Sequence, residues 1–205
     1  FFAHAGMLSA LSEEGIVPAS ACGSSAGALV AAAWASGVDR TTFADVLARL
    51  RREDFWDPAP GLGLLRGERF RRLIDELFPE KRFEDTRAPL AVSTFDVITR
   101  RTHVVTTGPI APAVVASCAV PLLFHPVRHE GRLLLDGGIR DRPGLAGARE
   151  GRTLAVLGNG LSPLGDIGQP RGVALPRESF AAHKERSLFD AAGKLAKEER
   201  QWHLR

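Results

Sequence analysis

Ile16-Val17-Pro18-Ala19-Ser20-Ala21-Cys22-Gly23-Ser24-Ser25-Ala26-Gly27-Ala28-Leu29-Val30-Ala31-Ala32-Ala33-Trp34-Ala35-Ser36-Gly37 holds three elements in one run. Ile16 to Cys22 is small and apolar, as a short buried strand would be. Ala28 to Ser36 is alanine-rich and reads as a helix that Gly37 stops. Between them, Gly23-Ser24-Ser25-Ala26-Gly27 matches G-x-S-x-G, in which a serine on a sharp strand-to-helix turn projects its hydroxyl from the sheet edge. The glycines two residues either side are expected to remove Cβ atoms that would collide in so tight a turn. The first N–H groups of the new helix, that of Ala26 included, would then face a developing oxyanion with the positive end of the helix dipole. The plainer reading of the same residues is a glycine-flanked turn in which Ser24 or Ser25 only caps the helix.

The pattern continues outward from this unit. His4 to Glu14 carries Met7, Leu8, Ala10 and Leu11 at helical spacing, with Gly15 placed to end it. Thr41 to Arg52 is a second amphipathic helix with Thr41 or Thr42 as N-cap. Phe55 to Leu65 is an apolar loop broken by Pro and Gly. Glu68 to Phe78 is helical, with Phe70, Leu73, Ile74 and Leu77 on one face. Leu90 to Asp96 and Thr102 to Thr107 read as strands joined by a polar turn at Thr99-Arg100-Arg101. Pro112 to Cys118 is a helix, and Leu133-Leu134-Leu135 a short strand that ends at Asp136-Gly137-Gly138. Thr153 to Leu157 is a further strand, and Glu178 to Arg200 a polar helix. Helices alternating with short apolar strands predict an α/β sheet covered on both faces. The 205 residues favour one domain, residues 1–205.

A serine nucleophile needs a proton acceptor. Six histidines are available. His4 lies among apolar neighbours on the first helix, His103 beside two arginines on a strand. His129, His183 and His203 sit in polar, exposed stretches, and none of these five falls in a triad context. His125, after Pro121-Leu122-Leu123-Phe124, stays open as a base. Asp136 is the stronger candidate. It ends an apolar strand, at the sheet edge where α/β proteins bind ligands, and Gly137 and Gly138 let backbone or substrate come close. An aspartate is a weak base unless burial raises its pKa, so such a dyad requires a partly dry pocket. The plain alternative is a β-turn built on Asp-Gly.

A net charge of +3 and a pI near 9.3 are modest, with arginines spread among acids. A nucleic-acid partner would call for a dense basic stripe interleaved with aromatics, and none is present. No apolar run reaches the roughly 20 residues that span a bilayer. The two cysteines, Cys22 and Cys118, sit in apolar surroundings and predict a reducing, cytoplasmic setting. The apolar Phe55–Leu65 loop reads either as a lid or lipid-touching patch, or as a loop packed on its own core.

Taken in order, Ala3-His4-Ala5-Gly6-Met7-Leu8-Ser9-Ala10-Leu11, Gly23-Ser24-Ser25-Ala26-Gly27-Ala28-Leu29, Ala116-Ser117-Cys118-Ala119-Val120-Pro121 and Asp136-Gly137-Gly138 resemble the patatin-like phospholipases, over about two thirds of the chain. The resemblance implies a three-layer α/β/α fold with helices on both faces of the sheet. It implies a Ser-Asp dyad, Ser25 as nucleophile and Asp136 as base, without histidine, metal or cofactor. The activity implied is hydrolysis of acyl esters in phospholipids, lysophospholipids or neutral lipids, with a membrane surface as one place to meet them. Two departures stand out. The family's glycine-rich oxyanion loop does not occur in the sequence, and since Phe1 is no natural start, that loop is expected ahead of it. His125 stands where the family more often has proline or an apolar residue. Two alternatives remain: an inactive lipid- or partner-binding module on the same fold, and a Ser25–His125 esterase.

Overall fold

The computed structural model describes residues 2–148 of the chain. Helix α1, Phe2–Glu13, ends where expected. Gly15 adopts φ 69, the Gly15 N–H bonds the Ser12 carbonyl, and the Ile16 N–H bonds the Leu11 carbonyl. This paired closure satisfies carbonyls that a helix end otherwise leaves bare. The same closure ends α2, Ala26–Ala35: Gly37 sits at φ 80, and Gly37 and Val38 donate to Trp34 and Ala33. Between the two helices, strand β1 occupies Ala21–Ser24, shorter at its start than Ile16–Cys22 and longer at its end. Ile16 is taken up by the helix closure, and Pro18 has no N–H to give a ladder.

Helix α3 spans Arg40–Arg49. Its cap is Asp39 rather than Thr41 or Thr42, whose N–H groups both bond the Asp39 carboxylate at 3.0 and 3.1 Å. The loop expected over Phe55–Leu65 ends in a strand, β2 (Gly63–Leu65), ahead of α4, Glu68–Leu77. Strands β3 (Leu90–Asp96) and β4 (Arg101–Val105) form the expected hairpin. Then come α5 (Ile110–Ser117), β5 (Leu122–Phe124), β6 (Val127–His129) and β7 (Arg132–Asp136). The sequence reading had neither β5 nor β6. The strand Thr153–Leu157 and the helix Glu178–Arg200 lie outside the described residues.

The chain adopts the α/β class its sequence implies, with helices packed on a central mixed sheet. The sheet register explains how two distant segments meet. Strand β1 runs parallel to β3, with Ser24 opposite Ser93, and β7 runs antiparallel to β3, with Asp136 opposite Thr94. Because β4 takes the other flank of β3, β1 and β7 share one flank, end to end. Their C-terminal residues therefore face each other across the step from Ser93 to Thr94. Helices α2 and α5 pack on the sheet, and Val92, Val114, Ile110 and Leu134 fill the wholly buried layer between. Each such aliphatic side chain contributes about 1.5–3 kcal/mol when withdrawn from water. On the opposite face Gly147 lies against Ala91, Val104 and Cys22, where a Cβ would meet Ala91 at 2.5 Å.

Candidate active site

Ser25 lies between β1 and α2 at φ 53, ψ −124. An L-residue is rarely held there, and the strain is of order 1–3 kcal/mol. Three bonds hold it. The Ser25 N–H donates to Ser117 Oγ at 2.8 Å, and the Ser25 carbonyl accepts from Ala28 and Leu29 at 2.9 and 3.2 Å. Ser117 is wholly buried and donates its own proton to the Ser93 carbonyl at 2.6 Å. One hydroxyl thus ties the elbow to α5 and to the central strand. Gly23 is required, since a Cβ there would lie 2.4 Å from the Gly27 carbonyl carbon. Gly27 is not. Its Cβ would meet only the His4 ring, at 3.9 Å, so the expectation that both motif glycines relieve a collision holds for the first alone.

Asp136 ends β7 across from this elbow. The Ser25 hydroxyl donates to Asp136 Oδ2 at 2.8 Å, and the Gly138 N–H donates to Oδ1 at 2.7 Å. The Asp136 N–H bonds the Ala119 carbonyl at 2.9 Å, which fixes the residue against the end of α5. The two following glycines are both explained by crowding. A Cβ on Gly137 would lie 2.2 Å from the Ser93 carbonyl oxygen and 2.7 Å from Ser24 Oγ, and one on Gly138 3.0 Å from Asp136 Oδ1. Asp136 is 7% exposed. Burial pushes its carboxyl above the usual aspartate range, while the Ser25 hydroxyl and the Gly138 N–H pull it back down. A carboxylate so placed is a better base than one in water.

The Ala26 N–H opens α2 beside Ser25. The first N–H groups of a helix have no partner within it, and they carry the positive end of its dipole. This is a place where negative charge on an attacked carbonyl would be stabilised.

The structure does not bring His125 to the serine by any hydrogen bond; its Nε2 lies 2.6 Å from the Ala59 carbonyl, tethering the loop before β2. His103 lies on β4, and its carbonyl accepts from Thr94. His129, expected in an exposed stretch, is buried, with Nε2 unpartnered among the described residues. It ends β6, opposite Arg132 on β7, and α5 packs against that strand. His183 and His203 lie outside the described residues. Burial pushes the Cys118 thiol up, with the nearby Asp136 charge adding to it, which makes that sulfur a poor nucleophile. Among the described residues no three His, Cys, Asp or Glu side chains gather as a metal ion would require.

The part Ser117 plays was not foreseen. Its signals in sequence are its place in the Ala116-Ser117-Cys118-Ala119-Val120-Pro121 segment and a hydroxyl at the end of the otherwise apolar Ile110-Ala-Pro-Ala-Val-Val-Ala run, where a buried polar group must find partners.

Comparison with known proteins places the chain. The family model for patatin-like phospholipase matches residues 1–149. An uncharacterized NTE family protein of Mycobacterium tuberculosis is 31% identical over 165 residues, 78% of this chain and 46% of its own. A second from the same species is 32% identical over 145 residues, 67% of this chain and 24% of its own. The chain thus spans about half the length, or less, of the curated relatives it matches. Among solved structures, VipD from Legionella pneumophila superposes with a TM-score of 0.58 at 18% identity, over 67% of this chain and 44% of that one. That likeness is one of fold.

Proposed function

The chain belongs to the patatin-like phospholipase family, and on that premise we propose that it is a serine lipid acyl hydrolase working through a Ser25–Asp136 dyad. The observation that carries this reading is the 2.8 Å bond from the Ser25 hydroxyl to Asp136 Oδ2, made by a serine held in a left-handed elbow. Asp136 Oδ2 takes the hydroxyl proton as Ser25 Oγ attacks the ester carbonyl carbon. The carbonyl oxygen becomes an oxyanion facing the Ala26 N–H. As the tetrahedral intermediate collapses, the alcohol leaves with the proton held on Asp136, and the acyl group stays on Ser25. Water then enters, gives a proton to Asp136 and attacks the acyl carbon. Ser25 leaves with that proton, and the carboxylic acid departs. No histidine is used, and the substrate is a lipid or other carboxylic ester.

The Gly138 N–H on Oδ1 leaves Oδ2 to face the serine, so the carboxylate presents one defined oxygen. The test is release of fatty acid from a lysophospholipid, and of nitrophenol from a short-chain ester, by the parent, Ser25→Ala and Asp136→Asn. Turnover by the parent that falls by roughly 10⁴ in either variant is expected. An Asp136→Asn protein as fast as the parent contradicts the dyad, and a parent without turnover on either ester contradicts the hydrolase.

A further inference from the structure

Asp141 is a buried carboxylate that the chemistry at Ser25 does not use, and a buried charge must be met by donors. Its two oxygens are met separately. Oδ1 accepts from the Leu145 N–H at 3.0 Å, and Oδ2 accepts from the Ala146 N–H at 2.9 Å. A side chain with one acceptor oxygen would satisfy these two donors less well. The backbone of Asp141 is engaged too: its N–H donates to the Gly137 carbonyl at 2.8 Å, and its carbonyl accepts from Gly144 at 3.0 Å. The segment that follows the base Asp136 is therefore folded around this one residue.

That folded segment presses on the strand that carries the nucleophile. Gly144 sits at φ 68, and a Cβ on it would lie 2.6 Å from the Ser24 nitrogen and 2.8 Å from the Gly23 carbonyl carbon. The peptide it touches ends one residue before Ser25. At the other end of the segment, Gly137 is wedged between the Ser93 carbonyl and Ser24 Oγ. Burial, and then the Asp141 charge, push the Cys22 thiol up, as a carboxylate lying beside β1 would do. Ser25 and Asp136 come from different strands and touch through a single 2.8 Å bond. The run from Asp136 to Gly144 reaches from the base itself to the peptide before the nucleophile, and Asp141 is its pivot.

Resting on the hydrolase reading, we propose that Asp141 is a positioning residue for the dyad: by holding the Leu145 and Ala146 N–H groups it keeps Gly144 against the Gly23–Ser24 peptide and so fixes the distance between nucleophile and base. Ser117 holds the elbow from α5, and Asp141 holds it from the segment that bears Asp136. Neither touches the substrate; each acts through the place it gives to Ser25.

The test is short-chain ester turnover across pH by the full-length parent, Asp141→Asn and Asp141→Ala, with a thermal melt of each. In Asp141→Ala, kcat should fall by about 10- to 100-fold with KM nearly unchanged, since a displacement near 1 Å costs about 10²-fold. Asp141→Asn keeps the size and one acceptor oxygen but turns an NH2 toward the other N–H, so it should lie between parent and alanine. It decides the matter alone if the alanine variant does not fold. The acid limb of kcat/KM separates positioning from general loosening. Burial raises the Asp136 carboxyl, and the Ser25 hydroxyl pulls it back down. A longer separation weakens that pull, so the acid limb of both variants should move to higher pH. A site that only loosens admits water, relieves the burial and moves the limb to lower pH. Variants with parental kcat, or with an acid limb unmoved or lowered, overturn the role even where they melt earlier. Such variants leave the parent's turnover, and with it the hydrolase reading, intact. A parent without turnover removes the hydrolase, and this role with it.

Discussion

Replacing Ser117 by alanine takes one oxygen out of the bridge between Ser25 and Ser93. Two backbone groups lose their partner together, the Ser25 N–H at 2.8 Å and the Ser93 carbonyl at 2.6 Å. A buried polar group left unsatisfied costs about 1–3 kcal/mol. The Ser25 side is only partly buried, so the loss of stability should be about 2–4 kcal/mol rather than the full sum. For a chain of this size that lowers the melting temperature by roughly 4–16 °C. The second effect is local. Ser25 is held at φ 53 against its own preference, and without the Ser117 bond the elbow relaxes. A displacement near 1 Å is enough to cost about 10²-fold in rate. The rate constant kcat should therefore fall by about 10- to 100-fold with KM nearly unchanged. Ser117→Cys, which keeps a weak donor and acceptor, should lie between parent and alanine. Thermal melts with ester kinetics on the same preparations measure both effects. An alanine variant that melts within about 1 °C of the parent and turns over at the parental rate would refute the bridge.

Gly23→Ala should fail to fold, because its Cβ would lie 2.4 Å from backbone, whereas Gly27→Ala should fold and gain up to about 1 kcal/mol in a denaturant melt, its Cβ meeting only the His4 ring at 3.9 Å. Asp136→Asn should abolish turnover yet raise stability at neutral pH. Since burial raises the folded carboxyl's pKa, its charge costs stability above that pKa, and the cost fades as pH falls toward the unfolded value; melts of parent and variant across pH should converge on acidification. The same shift places the acid limb of the parent's pH–rate profile above the ordinary aspartate range, measurable on a short-chain ester. His125→Ala should retain turnover within a few-fold, its ring bonding the Ala59 carbonyl and not the serine; loss of all activity would favour a histidine base.

What was legible in the sequence is what local chemistry decides. The closures at Gly15 and Gly37, the alanine-rich α2 and the β3–β4 hairpin each follow from neighbouring residues. Asp136 could be singled out because an apolar strand ended in glycines at the edge where ligands bind. The rest depends on partners far away in the chain. The Ser25–Asp136 bond joins residues 111 apart, and only the register on β3 brings β1 and β7 end to end. Strands β2 and β5 are three residues each and pair with each other across more than fifty residues of chain. His129 read as exposed from polar neighbours, but it is buried, on a strand against which α5, distant in the chain, is packed. Thr41 and Thr42 looked like caps because both have capping side chains, yet the Asp39 carboxylate reaches both N–H groups at once. The Gly27 position passed as a steric need on motif grounds, and only the space around it separates it from Gly23.

The central claim is that Ser25 is an activated nucleophile served by Asp136. Treating the parent, Ser25→Ala and Asp136→Asn proteins with a fluorescent fluorophosphonate, then mapping the adduct by peptide mass spectrometry, addresses it most directly. The account predicts a single adduct on Ser25 in the parent, none in Ser25→Ala, and labelling slowed by orders of magnitude in Asp136→Asn. An adduct elsewhere that persists in Ser25→Ala, or labelling of Asp136→Asn at the parental rate, would contradict it.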